Sequence, residues 1–68
     1  MIKLNRLKEL RADKTQRHMA TVFGVSQSTW ASWESGRTKP PLSVMQRLEE
    51  MFSLKKEHIF FGLFDYKM

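Results

Sequence analysis

Thr15-Gln16-Arg17-His18-Met19-Ala20-Thr21-Val22-Phe23-Gly24-Val25-Ser26-Gln27-Ser28-Thr29-Trp30-Ala31-Ser32-Trp33-Glu34-Ser35-Gly36 decides the fold. Thr15 can cap a helix, because its hydroxyl can accept an orphan N–H of the first turn. Met19, Ala20, Val22 and Phe23 then recur at helical spacing. Gly24 suits the left-handed residue that ends a helix, and Ser26 can cap the next one. Trp30 and Trp33 are three apart and share a face directed at the core. The opposite face carries Gln27, Ser28, Ala31 and Ser32, all small or amide-bearing. Two helices, about 16–23 and about 27–34, joined by Gly24-Val25-Ser26, must cross at a steep angle. Ala20 then faces the second helix where a larger side chain would push the pair apart. The start of that second helix is left free to enter a DNA major groove about 12 Å wide.

Working outward, Leu4, Leu7 and Leu10 predict an earlier helix from about Ile2 to Asp13 with a narrow apolar stripe. Membrane-surface helices usually bury bulkier residues, so packing on a core is expected. Arg37 to Pro41 reads as a loop, since paired prolines do not lie inside a helix. Ser43 and Gln46 read as a capping box with Leu42 as its hydrophobic staple. Val44, Met45, Leu48, Met51 and Phe52 read as the buried stripe of a fourth helix. A short fifth helix is expected from Lys56 to Phe61, stopped by Gly62, with 63–68 as an apolar tail. No segment alternates as a strand does, so the fold class is all-α: one domain, 1–68, a compact bundle of about five short helices.

The 68 residues contain 12 Lys and Arg against 7 Asp and Glu, a net charge of +5. All of the excess lies in residues 1–39, where eight basic groups face Glu9, Asp13 and Glu34; residues 40–68 balance four against four. Such asymmetry points to an anionic partner on one side. The plainer reading is a solvated surface. No cysteine is present, which excludes a disulfide scaffold, a Cys-based zinc finger and a thiol nucleophile. His18 and His58 are forty residues apart without ligand neighbours, so no metal or other cofactor is expected. No acid–base pair sits near a pocket, so no enzyme is expected. No run approaches the ~18 apolar residues of a membrane span.

Thr15-Gln16, Ala20, Gly24-Val25-Ser26-Gln27-Ser28-Thr29, Trp33-Glu34-Ser35-Gly36 and Lys39-Pro40 resemble the lambda-repressor-like helix-turn-helix family, also called Cro/repressor or xenobiotic-response-element type. The stretches 48–52 and 59–62 resemble its last two helices. The resemblance implies five helices, sequence-specific binding of double-stranded DNA and a homodimer on a palindromic operator, formed at the fifth helix and completed on DNA in some members. It implies a bacterial or phage-encoded cytoplasmic regulator acting by operator occupancy, with neither membrane nor small-molecule ligand among its partners.

By the same resemblance Gln27, Ser28 and Ser32 are the base-reading positions. Gln16 matches a phosphate-contacting glutamine, and Ser35, Arg37 and Lys39 match the loop that grips the DNA backbone. Arg17 can add charge beside Gln16 or remain solvated; Thr29 can touch a phosphate or fill space. The sequence departs from the pattern at several places. The link before Thr15 is about two residues short and lacks the usual Gly-Leu. Trp30 replaces Ile or Val, Ser53 stands where a helix-ending glycine is common, and Lys55 replaces a capping Ser or Thr. The alternative reading is an antitoxin-like or partner-binding module that keeps the fold without specific DNA binding.

Overall fold

The computed structural model describes residues 5–62, and these form five helices with no strand among them. They are α1 (Leu7–Arg11), α2 (Gln16–Phe23), α3 (Gln27–Ser35), α4 (Leu42–Phe52) and α5 (Lys56–Ile59). Leu4 and residues 63–68 of the expected first helix and tail lie outside the described residues.

The α2–turn–α3 unit is built as its sequence predicts. The Thr15 hydroxyl accepts the His18 N–H at 2.9 Å, and the Ser26 hydroxyl accepts that of Thr29 at 3.1 Å. Gly24 closes α2 at φ +69° and Gly36 closes α3 at φ +80°. Beyond each glycine the chain donates back across the turn, Val25 to the Ala20 carbonyl and Arg37 to the Ser32 carbonyl. Orphan carbonyls of the last turn are thereby satisfied. Ser53 ends α4 in the same left-handed conformation at φ +54°, with Leu54 donating to the Glu49 carbonyl.

The core gathers Leu7, Met19, Ala20, Phe23, Trp30, Trp33, Val44, Met45, Leu48, Ile59 and Phe60. At its centre Phe23 stacks on Trp30 with ring centroids 5.6 Å apart, and Trp33 meets Trp30 edge-on at 5.8 Å. Trp30, where the family pattern favours a smaller residue, is fully buried. Both tryptophans are core residues, as their spacing predicts.

Several expectations change. The first helix, expected from about Ile2 to Asp13, is helical among the described residues only over Leu7–Arg11, because Ala12 turns the chain out of it at positive φ. The helix α4 begins at Leu42 with Pro41 as its cap, so Ser43 and Gln46 make no capping box. Proline already holds φ near −61° here, and its carbonyl accepts the N–H groups of Val44 and Met45, so the helix starts before Ser43. Leu42 lies within the helix, 57% exposed, and staples nothing. The buried stripe runs through Val44, Met45 and Leu48 to a half-buried Phe52, leaving Met51 exposed. Finally, α5 stops at Ile59 rather than Phe61. The Ile59 carbonyl is taken by the Arg6 N–H at 2.9 Å, and Phe60 leaves helical geometry while its ring is buried.

The start of α5 is satisfied from another helix. Glu49 accepts the Lys56 N–H at 2.6 Å, and Lys56 Nζ lies 3.9 Å from the same carboxylate. The missing Ser or Thr at Lys55 is thus replaced by an acid on α4.

The short link after α1 carries strain. Ala12 sits at φ +52°, ψ −117°, a conformation natural only to glycine. Replacing Ala12 or Ser53 by glycine should therefore stabilise the protein, each by about 1 kcal/mol. For a domain of this size the melting temperature should rise by about 4–8 °C per kcal/mol. Thermal melts of the two single variants check this; a fall in both would show that neither residue is strained.

Candidate nucleic-acid interface

Gln27 occupies the first position of α3 and is exposed, as is Ser28 beside it. The Gln27 amide offers a donor and an acceptor side by side, the pattern that pairs with an adenine edge. The Ser28 hydroxyl lies 3.1 Å from that of Ser26, and the half-buried Thr29 hydroxyl lies 2.9 Å from it. The hydroxyl of Ser26 thus holds both neighbours at the tip of the helix. Farther along, Ser28, Ala31, Ser32, Ser35 and Arg37 line one shallow depression on the outer side of α3. The small face read from the sequence is thus continuous with the loop that follows it.

Ser35 spends its hydroxyl on structure. It donates to the Ser32 carbonyl at 3.1 Å and accepts the Arg37 N–H at 3.4 Å. The Ser32 carbonyl also accepts the N–H groups of Arg37 and Thr38. Ser32 and Ser35 therefore shape the loop that presents Arg37 and Lys39. Both of these cations are exposed, and so is Arg17; no ion pair among the described residues uses any of the three. By contrast Arg11 is bound to Glu34, and Arg47 lies 4.7 Å over the Phe23 ring while donating to the Val22 carbonyl.

Gln16 holds the first position of α2 and donates to Glu34 at 3.1 Å. Among the described residues its second amide N–H and its oxygen have no further hydrogen bond. The backbone N–H groups of Gln16 and Arg17 point from the first turn, where the helix dipole favours an anion. Its bond to Glu34 places Gln16 beside the last turn of α3. Gln27 lies eight residues earlier on α3, about 12 Å along its axis. That separation matches the width of a major groove, so one end of α3 can meet bases while the other meets backbone.

The residue that organises this surface is Glu34, which charge counting treats as one acid among three. Its side chain is 7% exposed. It accepts from Arg11 Nε and Nη2, from Gln16 Nε2 and from the Trp30 indole N–H. Burial pushes its carboxyl up. The hydrogen bonds from Arg11, Gln16 and Trp30, with the charge of Arg11, outweigh burial and hold it below its ordinary value of 4.5. The i, i+4 spacing of Trp30 and Glu34 is visible in the sequence, because a buried indole N–H needs an acceptor. Arg11 and Gln16 are not, because they arrive from other helices. Asn5 is a second unread residue. It is buried, accepts the Leu7 N–H at 3.0 Å and donates to the Trp33 carbonyl at 2.8 Å, tying the start of α1 to α3.

Because the folded carboxyl of Glu34 titrates lower than the unfolded one, its stabilisation is fully present above about pH 4.5. It is lost as the pH falls through the lower folded value. Glu34→Gln should cost about 2 kcal/mol at pH 7 and progressively less below pH 4.5, as first the unfolded and then the native carboxyl takes up a proton. Urea unfolding of both proteins at pH 7 and pH 3 measures this, and an equal loss at both would contradict the assignment.

No curated protein and no solved structure matches the chain. A family model described as a helix-turn-helix domain matches residues 3–57, which include α1 to α4, the turn Gly24–Ser26 and the loop bearing Arg37 and Lys39. With the capped α2–α3 pair, the buried tryptophans and the open outer face of α3, this match establishes that the chain belongs to the helix-turn-helix domain family, as its lambda-repressor-like motifs imply.

Proposed function

We propose that the chain is a sequence-specific regulator of transcription that binds double-stranded DNA and acts by occupying an operator, as phage and prophage repressors and Cro-like proteins do. The observation that carries this reading is a solvent-facing side of α3, led by Gln27, in a domain whose exposed Arg17, Arg37 and Lys39 form no ion pair among the described residues. In this reading Gln27, Ser28 and Ser32 face the bases. Gln16, Arg17, Thr29, Ser35, Arg37 and Lys39 meet the phosphate backbone, with the Thr29 and Ser35 hydroxyls acting mainly by fixing local geometry. Phosphate contacts supply affinity and the face of α3 supplies sequence choice. No catalytic step and no cofactor enters the mechanism, and the working compartment is the cytoplasm. The full 1–68 chain serves as one DNA-binding domain.

If about four phosphates are neutralised per protomer, log K should fall with log salt at a slope near −4. Gln27→Ala should weaken specific binding by about 1–3 kcal/mol and leave random-sequence binding nearly unchanged. Arg37→Ala and Lys39→Ala should weaken both and lower the slope by about one. Selection from random duplexes followed by salt titration tests this. Equal losses on specific and random DNA for all three variants would refute the division of roles, and a slope near zero would favour a partner-binding module.

The same reading makes the bound form a homodimer on a palindrome, with two recognition helices about 34 Å apart. It is supported by the apolar run Phe61, Leu63, Phe64 and Tyr66 after a helix of four residues. The competing arrangement, a tail folded on its own core, draws support from Phe60, which is buried; Phe61 is half-buried with Arg6 5.8 Å from its ring. Analytical ultracentrifugation of the operator complex, with and without Phe64→Asp, separates them. Two protomers per operator are expected, and pairing should be lost in the variant.

A further inference from the structure

A cavity of about 340 Å³ opens between the end of α1, one side of α2 and the end of α4. Its walls are Leu10, Ala12, Met19, Val22, Met51 and Phe52, with Arg11, Lys14 and His18 also lining it. The volume lies in the range of small-ligand sites. Six of the nine lining residues are apolar, three carry basic nitrogen and none carries a carboxylate.

We propose that this cavity is a binding site for a small apolar carboxylate, a medium-chain fatty acid or an aryl-alkyl acid. The apolar tail lies between Val22 on one side and Met51 and Phe52 on the other, and the carboxylate meets Lys14 and His18. Arg11 contributes long-range charge, since its guanidinium is already bonded to Glu34 and to the Lys14 carbonyl. Lys14 is available. Its ammonium lies 3.8 Å from Asp13, whose side chain is 93% exposed, and such an open pair contributes little. The His18 side chain is exposed. Met51 is 46% exposed, an apolar side chain that a ligand tail would cover. A protein helix is a poorer fit, because the apolar wall offers one turn of α2 and the last turn of α4 rather than a trough of several turns.

Sequence reading expects no small-molecule ligand. The cavity is made by three segments far apart in the chain, which explains why no motif marks it. The assignment does not rest on the DNA-binding reading and is tested without DNA.

The test is a titration of the full-length protein with octanoate below its micellar range, followed by methyl and amide NMR. Octanol and octylamine serve as controls. Saturable shifts are expected at Leu10, Met19, Val22 and Met51, with octanol binding about tenfold more weakly and octylamine not at all. Lys14→Ala combined with His18→Ala, both exposed and harmless to the core, should weaken octanoate about tenfold. Met51→Lys, also at an exposed position, should abolish insertion of the tail. Shifts that do not saturate, shifts centred elsewhere, or octanol binding as tightly as octanoate would each overturn the assignment.

Discussion

The buried carboxylate of Glu34 is the joint on which this small protein turns. One side chain in the last turn of α3 takes hydrogen bonds from α1 through Arg11, from α2 through Gln16 and from its own helix through Trp30. A buried charge is costly unless it is paired and its lone pairs are filled. Here both conditions are met, and no buried side-chain polar atom among the described residues lacks a partner. The consequence is geometric. With Arg11 held, the strained link at Ala12 is pinned; with Gln16 held, the start of α2 lies against the end of α3. A domain this short buries only about 60% of its unfolded surface. A polar clamp joining three of its five helices gives the arrangement a definite register that a small apolar core alone would leave loose.

The aromatic centre and the outer surface are two faces of one helix. Trp30 and Trp33 fill the interior through their contacts with each other and with Phe23. That commitment leaves the remaining side of α3 with Gln27, Ser28, Ala31 and Ser32. Small residues there keep the helix surface low, so a ligand as broad as a nucleic-acid groove can approach closely. The loop at Gly36 is ordered by four donors converging on the Ser32 carbonyl, namely Ser35, Gly36, Arg37 and Thr38. Arg37 and Lys39 therefore stand on a rigid support although their own side chains are exposed. The same division appears in α4, where the buried stripe faces the core and Met51 is left at the mouth of a cavity.

Much of the fold was legible in the sequence because it is written in local chemistry. Thr15, Ser26, Gly24 and Gly36 act within one turn of where they stand, and the helix boundaries they set are those observed. The helical spacing of Met19, Phe23, Trp30 and Trp33 likewise identifies the buried face from within each helix. Readings failed where a neighbour from elsewhere in the chain outbid the local signal. Pro41 displaced Ser43 as the start of α4, and α5 stopped at Ile59, where Phe60 leaves helical geometry with its ring in the core and the Ile59 carbonyl meets the Arg6 N–H. Glu49 capped α5 where Lys55 offers nothing.

The sequence by itself therefore determined the helix-turn-helix, its aromatic core residues Phe23, Trp30 and Trp33, and the small, polar composition of the outer face of α3. These follow from the 3.6-residue period and from caps that act within a few residues. Only the tertiary structure decided that Glu34 is a buried hub rather than a surface charge, that Gln16 is held by it, and that Asn5 ties α1 to α3. Only the tertiary structure brought Leu10, Val22 and Met51 around one cavity. The physical reason is the same in each case: a hydrogen bond or contact between residues far apart in sequence leaves no periodic trace, because its geometry exists only after the helices have packed.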